Sequence, residues 1–152
     1  MPTARASRTY PASAEEIWEL INDPHHLPRW WPRVERVEGV FDGAFTQVMR
    51  TAKGKAVRAD YTLVEQTAPG FGSDGVRRWS QELAGTPFER LLSESQTSVR
   101  LHPVDSVRTE VTIEIAHTTR GFFNRIGSGS VKRAARGLIS EALDGLESIY
   151  GI

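Results

Sequence analysis

One histidine has both the chemistry and the position to act on a ligand. His117 ends a strand-like run, residues 107–117, in which apolar side chains alternate with Arg, Glu and Thr. It therefore continues the inward-facing side of that strand. An imidazole near neutral pH can hydrogen-bond a ligand or serve as a general base. The alternative, which we favour, is a histidine that bonds a backbone carbonyl near the strand end, because no second residue positions its ring.

A second group of candidates lies on the strand-like run 75–83, where Arg77, Trp79 and Gln81 alternate. If a tight hairpin follows this run, Glu94 lies opposite Arg77. Such a pair would be either a buried structural pair or a polar anchor for a ligand. On the opposite face Arg77 and Gln81 would be surface residues and Trp79 would be exposed, which is unusual for so large an apolar side chain. The pattern therefore predicts a partly polar inner wall.

Tyr61 lies on the apolar face of the neighbouring strand-like run and adds a phenolic hydroxyl. An enzyme would need an acid–base pair in contact with its substrate. The candidates for that pair are Tyr61, Arg77, Glu94 and His117. The sequence has no Gly-x-Ser-x-Gly motif for a hydrolase serine, and its glycine-rich segments lack the ending of a phosphate-binding loop.

The segment PHHLPRWWPRV, residues 24–34, contains two adjacent histidines that resemble metal ligands at first sight. His25 and His26 point in different directions on any helical turn, so they do not share a face. A zinc site needs further protein ligands at suitable spacing, and none accompanies them. We expect both to be exposed turn residues, and we predict neither a metal nor a cofactor.

The overall composition restricts the class of protein. The chain has 152 residues, with 39% hydrophobic and 25% charged residues, as expected for one globular domain spanning residues 1–152. Nineteen basic and nineteen acidic residues cancel, which argues against a nucleic-acid partner. No cysteine is present, which excludes disulfides and thiolate chemistry.

The sequence also indicates where the protein resides. No apolar run approaches the ~18 residues of a membrane span, and the first residues lack the apolar core of a signal peptide. We therefore expect a cytoplasmic protein without stable membrane insertion. Arginine outnumbers lysine by 16 to three, which suggests a GC-rich bacterial source.

Local signals define the order of the elements. Ser13 is the N-cap of a helix, Glu16 completes a capping box, and Pro24 limits the helix at its other end. Residues 5–10 and six later runs alternate with a period of two and are separated by short Gly, Pro, Asp and Ser clusters. These six runs are residues 34–41, 45–52, 55–66, 75–83, 88–101 and 107–117. Their short connections predict an antiparallel meander of six strands, and residues 5–10 make a seventh strand.

A long helix is predicted for residues 131–149, after a flexible segment at 127–130. Its apolar residues recur at intervals of three and four. They are Val131, Ala134, Ala135, Leu138, Ala142, Leu146 and Ile149. Because three of them are alanines, a cavity between the helix and a curved sheet is plausible, although small residues equally allow close packing.

Three segments carry a resemblance to a known superfamily: YPASAEEIWELINDPHHLPRWWPRVERVE, RRWSQELAGTPFERLL and RAARGLISEALDGLESI. The chain resembles the START-like, or SRPBCC, helix-grip proteins, and among them the polyketide cyclase/dehydrase and lipid-transport group. The resemblance implies an α+β fold. A seven-stranded antiparallel sheet curls around a long C-terminal helix, and two short helices follow the first strand. The superfamily includes carriers, receptors, cyclases, hydrolases and co-chaperone regulators, and it has no universal catalytic motif.

Under this resemblance, the two adjacent tryptophans belong to the second short helix, beneath the sheet. Pro28 and Pro32 restrict the backbone on either side, so the two rings cannot easily exchange environments. We expect one of Trp30 and Trp31 to be core and the other to line the cavity mouth or be partly exposed. A pure packing role is the favoured interpretation, because large aromatic side chains mainly supply buried area.

The favoured function is therefore binding of a hydrophobic or amphipathic small molecule between the sheet and the long helix, for transport, sequestration or sensing. The candidate ligand-binding residues are Trp30, Trp31, Tyr61, Arg77, Trp79, Gln81, Glu94, His117, Phe122, Ala135 and Leu138. One alternative is an enzyme of the cyclase/dehydratase or hydrolase kind that acts in the same cavity. Another is a protein-interaction regulator with a vestigial cavity.

Overall fold

Seven antiparallel strands and three α-helices form the computed structural model, which describes residues 3–51, 53–70, 72–86, 89, 92–119 and 128–151. The strands are β1 (Thr3–Tyr10), β2 (Val34–Phe41), β3 (Ala44–Arg50), β4 (Ala56–Thr67), β5 (Gly75–Gln81), β6 (Leu92–Pro103) and β7 (Thr109–Thr119). The helices are α1 (Ala14–Ile21), α2 (Leu27–Trp30) and α3 (Ser128–Tyr150), with a 3₁₀ turn at Pro24–His26.

The strands lie in the order β1-β7-β6-β5-β4-β3-β2, and every neighbouring pair is antiparallel. Strands β2 to β7 follow one another as a meander, as their short connections predict. Strand β1 joins the far side of β7, so the first and last strands of the chain are neighbours. This is the predicted helix-grip architecture, in which the sheet curls around α3.

The chain enters α1 through the predicted cap. The Ser13 hydroxyl accepts a hydrogen bond from the Glu16 backbone N–H at 3.2 Å, which satisfies one of the unpaired amides of the first turn. The Asp23 carboxylate then caps the 3₁₀ turn by accepting from the His25 backbone N–H at 3.0 Å. His25 is exposed, and the His26 ring lies 3.2 Å from the Leu20 carbonyl oxygen, so this segment turns a corner.

Helix α3 packs its second half against β1 and α2. The Tyr10 hydroxyl donates to the Leu143 carbonyl oxygen at 2.6 Å, and the Arg8 guanidinium pairs with Asp144 at 2.8 Å. At Gly145 the helix touches α2 so closely that a Cβ would collide with the carbonyl oxygen of Trp30. The absence of a side chain at Gly145 therefore allows the two helices to approach.

The predicted start of α3 is wrong by three residues. Residues 128–130, expected to be flexible, form the first turn of the helix, and Gly127 lies outside the described residues. Two serines and a glycine are poor helix formers in isolation, but the helix is held by the packing of its apolar face. Within the described chain, no helix has the length and apolarity to cross a membrane.

Strand β2 forms one edge of the sheet and is irregular. Its register with β3 shifts twice, between Val34 and Arg36 and between Glu38 and Phe41. Gly39 adopts a φ of 62° at the second irregularity, a conformation that favours glycine. The strand also carries charged side chains, and Arg36 pairs with Glu38 at 2.6 Å.

Candidate functional site

A cavity of about 290 Å³ separates the first half of α3 from the concave face of the sheet. This volume lies near the lower end of the range of ordinary small-molecule sites. The lining residues come from the C-cap of α2, from five strands and from α3. They are Trp31, Gln47, Met49, Tyr61, Gln81, Leu92, Ser95, Thr97, Ile115, His117, Val131, Ala134, Ala135 and Leu138.

The helix wall of the cavity is apolar and shallow. It is formed by Val131, Ala134, Ala135 and Leu138, which follow one another along one side of α3. Two of these four residues are alanines, which reach only a short way toward the sheet. The space remains open at this point because the helix does not supply the volume that would fill it.

The sheet wall carries a transverse series of polar side chains. Tyr61 pairs with Gln81 across β4 and β5, and Ser95 pairs with His117 across β6 and β7. The preceding pair, Ser80 with Gln96, brings Gln81 opposite Ser95. Tyr61, Gln81, Ser95 and His117 thus lie on four adjacent strands in one line, which we call the polar row.

The side chains of the polar row have no hydrogen-bond partners among the described residues. Its four side chains form no hydrogen bond with one another or with any other residue that the structure describes. Next to the row, Gln47 is 1% exposed, and its Oε1 atom has no donor among the described residues. A buried amide oxygen without a donor is uncommon in a folded protein.

Burial keeps the two titratable groups of the cavity neutral. Loss of water around the phenolic oxygen raises the pKa of Tyr61 far above its ordinary value of 10.0. The same effect lowers the pKa of His117 below its ordinary value of 6.5. Among the described residues that line the cavity, none is Asp, Glu, Lys or Arg. The described lining of the cavity is therefore uncharged near pH 7.

The sequence profile of one protein family, described as polyketide cyclase / dehydrase and lipid transport, matches residues 1–150 of this chain. The chain belongs to this family. A search of curated proteins finds no match.

Solved structures similar to this member of the polyketide cyclase/dehydrase and lipid transport family share its fold at low sequence identity. The di-domain ARO/CYC protein BexL has a TM-score of 0.77 and 20% identity, over 97% of this chain and 46% of that chain. A START superfamily protein from Mycobacterium smegmatis has a TM-score of 0.71 and 12% identity, over 97% and 96% of the two chains.

The Zhui aromatase/cyclase from Streptomyces sp. R1128 has a TM-score of 0.68 and 14% identity, over 97% of this chain and 94% of its own. The chain thus spans about half of BexL and nearly all of the other two proteins. At these identities the comparisons show the helix-grip fold alone.

In this family member the two tryptophans have different neighbours but similar burial. Trp30 is 3% exposed and packs against α3, whereas Trp31 is 7% exposed and lines the cavity. The Trp31 ring lies edge-on to Trp30 at 5.3 Å and to Trp79 at 6.1 Å. The expectation of one core ring and one at the cavity fits this arrangement. The alternative of a partly exposed ring is wrong, because Trp31 is buried between two aromatic neighbours and the cavity.

The predicted pair of Arg77 and Glu94 does not exist. Arg77 lies opposite Val99, and Glu94 lies opposite Thr118. The connection between β5 and β6 runs from residue 82 to residue 91, so it is no tight hairpin, and the expected register is wrong. A register shift beside Leu92 leaves Glu94 exposed on the outside of the sheet.

Arg77 faces inward, as predicted, but it serves the other end of the concave face. Its guanidinium donates to the Asn22 carbonyl oxygen at 2.9 Å and to the Gln66 side chain. Burial lowers the pKa of Arg77, and its charge is compensated in part by Asp23. Arg77 thus ties β5 to the end of α1 and does not line the cavity.

Trp79 also lies outside the cavity lining, although it supports it from below. It is 2% exposed and contacts Trp31 and Phe45, and Phe45 in turn stacks on Tyr61 at 5.3 Å. The remaining candidates, Tyr61, Gln81, His117, Ala135 and Leu138, all line the cavity. Phe122 lies outside the described residues.

Several lining residues were absent from the sequence-based candidates. Ser95 and Thr97 precede Val99 and Leu101 at a spacing of two, so the inward face of β6 changes from polar to apolar along the strand. That change is visible in the sequence and indicates a wall that is partly polar. Gln47 gives a weaker signal as a single polar residue on a buried face.

Proposed function

We propose that this protein binds an apolar or amphipathic small molecule in the cavity between α3 and the sheet. The observation that carries the proposal is the cavity itself, about 290 Å³ with an apolar helix wall and polar groups on the sheet wall. Such a combination is typical of small-molecule sites, where apolar burial supplies affinity and a few polar groups supply orientation. The family description, which includes lipid transport, agrees with this function.

Binding is favoured over catalysis by the spacing of the titratable groups. Tyr61 and His117 lie at opposite ends of the polar row, three strands apart, or about 14 Å along the sheet. A catalytic acid–base pair is positioned by hydrogen bonds, and neither Tyr61 nor His117 has a hydrogen bond to the side chain of another described residue. The predicted partners Arg77 and Glu94 lie outside the cavity, so no acid–base pair remains among the described lining residues.

Two of the structural relatives named above are an aromatase/cyclase and a di-domain ARO/CYC protein. They supply the main support for the alternative function, a cyclase/dehydratase-like enzyme. Their likeness to this chain is one of fold, because the identities are 20% and 14%. The alternative would require a catalytic group beyond Tyr61 and His117, and turnover of a bound compound would be its decisive sign.

The test of binding uses the neutral fluorescent probe N-phenyl-1-naphthylamine, titrated into the purified protein. We expect saturable enhancement of its emission with one molecule bound per chain. Ala135→Phe should abolish the enhancement, because Ala135 lines the cavity and the added ring would occupy the space. Arg133→Phe, on an exposed part of the same helix, is the matched control and should bind as the unmodified protein does.

Two results would contradict the proposed function. One is the absence of saturable binding to the unmodified protein. The other is undiminished binding to Ala135→Phe at an unchanged melting temperature, which would place the probe outside the cavity.

A further inference from the structure

We propose that the ligand of this cavity is uncharged and carries hydrogen-bonding groups along one edge, because the polar row presents four such groups in line opposite an apolar helix. This inference rests on the proposed function and specifies the chemical class of its ligand. Tyr61, Gln81, Ser95 and His117 would contact the polar edge. Ala135 and its neighbours on α3 would contact the apolar edge.

The polar row is a product of strand register. Paired residues on the same face of an antiparallel sheet form lines that run across the strands, with neighbours about 4.8 Å apart. The next line toward α1 is formed by Trp79, Thr97 and Ile115, and it contains a single hydroxyl. Polar side chains are therefore concentrated in one line. A ligand that matches this line has polar groups at intervals of about one strand spacing.

The polar groups of the row can bind either donors or acceptors. The hydroxyls of Tyr61 and Ser95, the Gln81 amide and the neutral His117 ring each have a donor and an acceptor. None of them is engaged by another described residue. Polar groups left unpaired when water is removed from a site weaken binding, so a ligand without hydrogen-bonding groups would bind at a disadvantage.

Gln47 supports the same conclusion from an adjacent position. It follows Phe45 by two residues on β3, and Phe45 pairs with Tyr61 at the end of the row. Gln47 lines the cavity and is 1% exposed, and its Oε1 atom lacks a donor in the described part of the chain. Because Oε1 is itself buried, a ligand hydroxyl at this end of the cavity would supply the missing hydrogen-bond donor once the Gln47 amide turns toward it.

The charge of the ligand is limited by the described lining of the cavity, which offers no counter-charge. No acidic or basic side chain lines the described cavity, and burial favours the neutral forms of both Tyr61 and His117. A carboxylate or ammonium group would lose its hydration on entry without gaining an ion pair. The cost of that step far exceeds the cost for a hydroxyl that finds a hydrogen bond.

The test measures how well naphthalenes displace N-phenyl-1-naphthylamine. 1,3-Dihydroxynaphthalene has two hydroxyls about as far apart as neighbouring strands. 1,3-Dimethylnaphthalene has nearly the same shape without polar groups. A second pair, 1-naphthol and 1-naphthoate at pH 7.5, differs in charge. Each compound is titrated against the unmodified protein and against Gln81→Leu, Ser95→Ala and Met49→Leu, the last as an apolar lining control.

We expect Gln81→Leu and Ser95→Ala each to weaken binding of the dihydroxy compound about fivefold to tenfold, which corresponds to the loss of one hydrogen bond. Binding of the dimethyl compound should stay the same or improve. Met49→Leu should change the affinities of both compounds by the same factor. The unmodified protein should bind 1-naphthol at least tenfold more tightly than 1-naphthoate.

Each possible failure points to a different conclusion. If each of the two polar-row variants changes the affinities of the dihydroxy and dimethyl compounds by the same factor, the polar row does not recognise the ligand and the inference is wrong. Equal or tighter binding of 1-naphthoate would overturn the conclusion about charge. If the fluorescent probe binds but no discrimination is seen, only this inference fails. If the probe does not bind at all, the proposed function fails as well.

Discussion

The two ends of the concave face of the sheet are built from the same strands but are covered differently. At one end Arg77 of β5 and Val99 of β6 are buried beneath the corner that joins α1 to α2. At the other end Gln81 and Ser95 of the same strands face a cavity beneath α3. The strands continue from one end to the other, so the covering layer decides where the space lies.

Helix α3 shows the same difference along its length. Its second half supplies Leu143 and Leu146 to the core, and Gly145 allows α2 to approach closely. Its first half presents Ala134 and Ala135 to the cavity. A helix with large core side chains in one half and alanines in the other leaves space for a site without any break in its backbone. The following substitutions compare the two ends directly.

Removal of a tryptophan side chain should give the largest contrast in stability. Trp30→Ala should lower the free energy of unfolding by about 3–5 kcal/mol, because the ring is enclosed between α3 and its aromatic neighbour. Trp31→Ala should cost less, since one side of that ring already faces open space, and it should weaken probe binding. Guanidinium unfolding measures the first effect. Equal losses for the two variants would mean that both ends are packed alike.

Two glycines of α3 provide a second comparison. A Cβ at Gly145 would collide with the Trp30 backbone, whereas nothing lies within 4 Å of a Cβ at Gly137. Gly145→Ala should destabilise the protein by about 1–3 kcal/mol or more. Gly137→Ala should stabilise it by roughly 0.5–1 kcal/mol through the better helix propensity of alanine. Thermal unfolding of the two variants should show shifts of opposite sign, and shifts of the same sign would contradict the close approach of α2.

The same ring introduced at each end of α3 tests the cavity itself. Ala142 is 0% exposed and lies in the core, so Ala142→Phe should cost about 1–3 kcal/mol through overpacking. Ala135→Phe should change the melting temperature by only a few degrees, because the ring enters existing space, and it should block probe binding. A large loss of stability in Ala135→Phe would show that the position is tightly packed.

The smallest expected effect is a dependence of stability on pH that comes from the open end. His117 has a pKa that is lower in the folded chain than its ordinary value of 6.5. The contribution of the neutral His117 ring to the free energy of unfolding is therefore fully present above pH 6.5. It is lost as the pH falls through the folded-state pKa. As the pH falls from 7 to 5, the free energy of unfolding should decrease more for the unmodified protein than for His117→Gln.

The remaining histidines are shared by both proteins, so the difference between them isolates His117. The carboxyls of Asp23 and Asp74 have pKa values below 3.8 and act in a lower range of pH. Identical pH profiles for the two proteins would show that His117 is as well hydrated in the folded chain as in the unfolded one.

The sequence predicted best those features that depend on neighbours along the chain. The Ser13 cap, the alternation that turns His117 inward and the meander of the last six strands were all predicted correctly, whereas the place of β1 beside β7 was not predicted. Each follows from local chemistry or from short connections. The alanines of α3 allowed either a cavity or close packing, and the structure shows the cavity at Ala134 and Ala135 and close packing at Ala142.

The sequence did not predict which residues meet across the sheet. Whether Glu94 or Val99 lies opposite Arg77 depends on the length and path of the segment between β5 and β6, and a short run of turn residues does not determine it. The alignment of Gln81 with Ser95 was missed for the same reason. The burial of Trp31 depends on Trp79, which is distant in sequence, so no local pattern reveals it.

The irregular edge strand β2 has a consequence for the protein in a crowded solution. A regular edge exposes a row of unpaired amides and carbonyls to which a strand from another molecule can add, and this is a common route to aggregation. In β2 two register shifts interrupt that row, and the paired charges of Arg36 and Glu38 lie along it. A second chain therefore finds no continuous template for strand addition along this edge of the sheet.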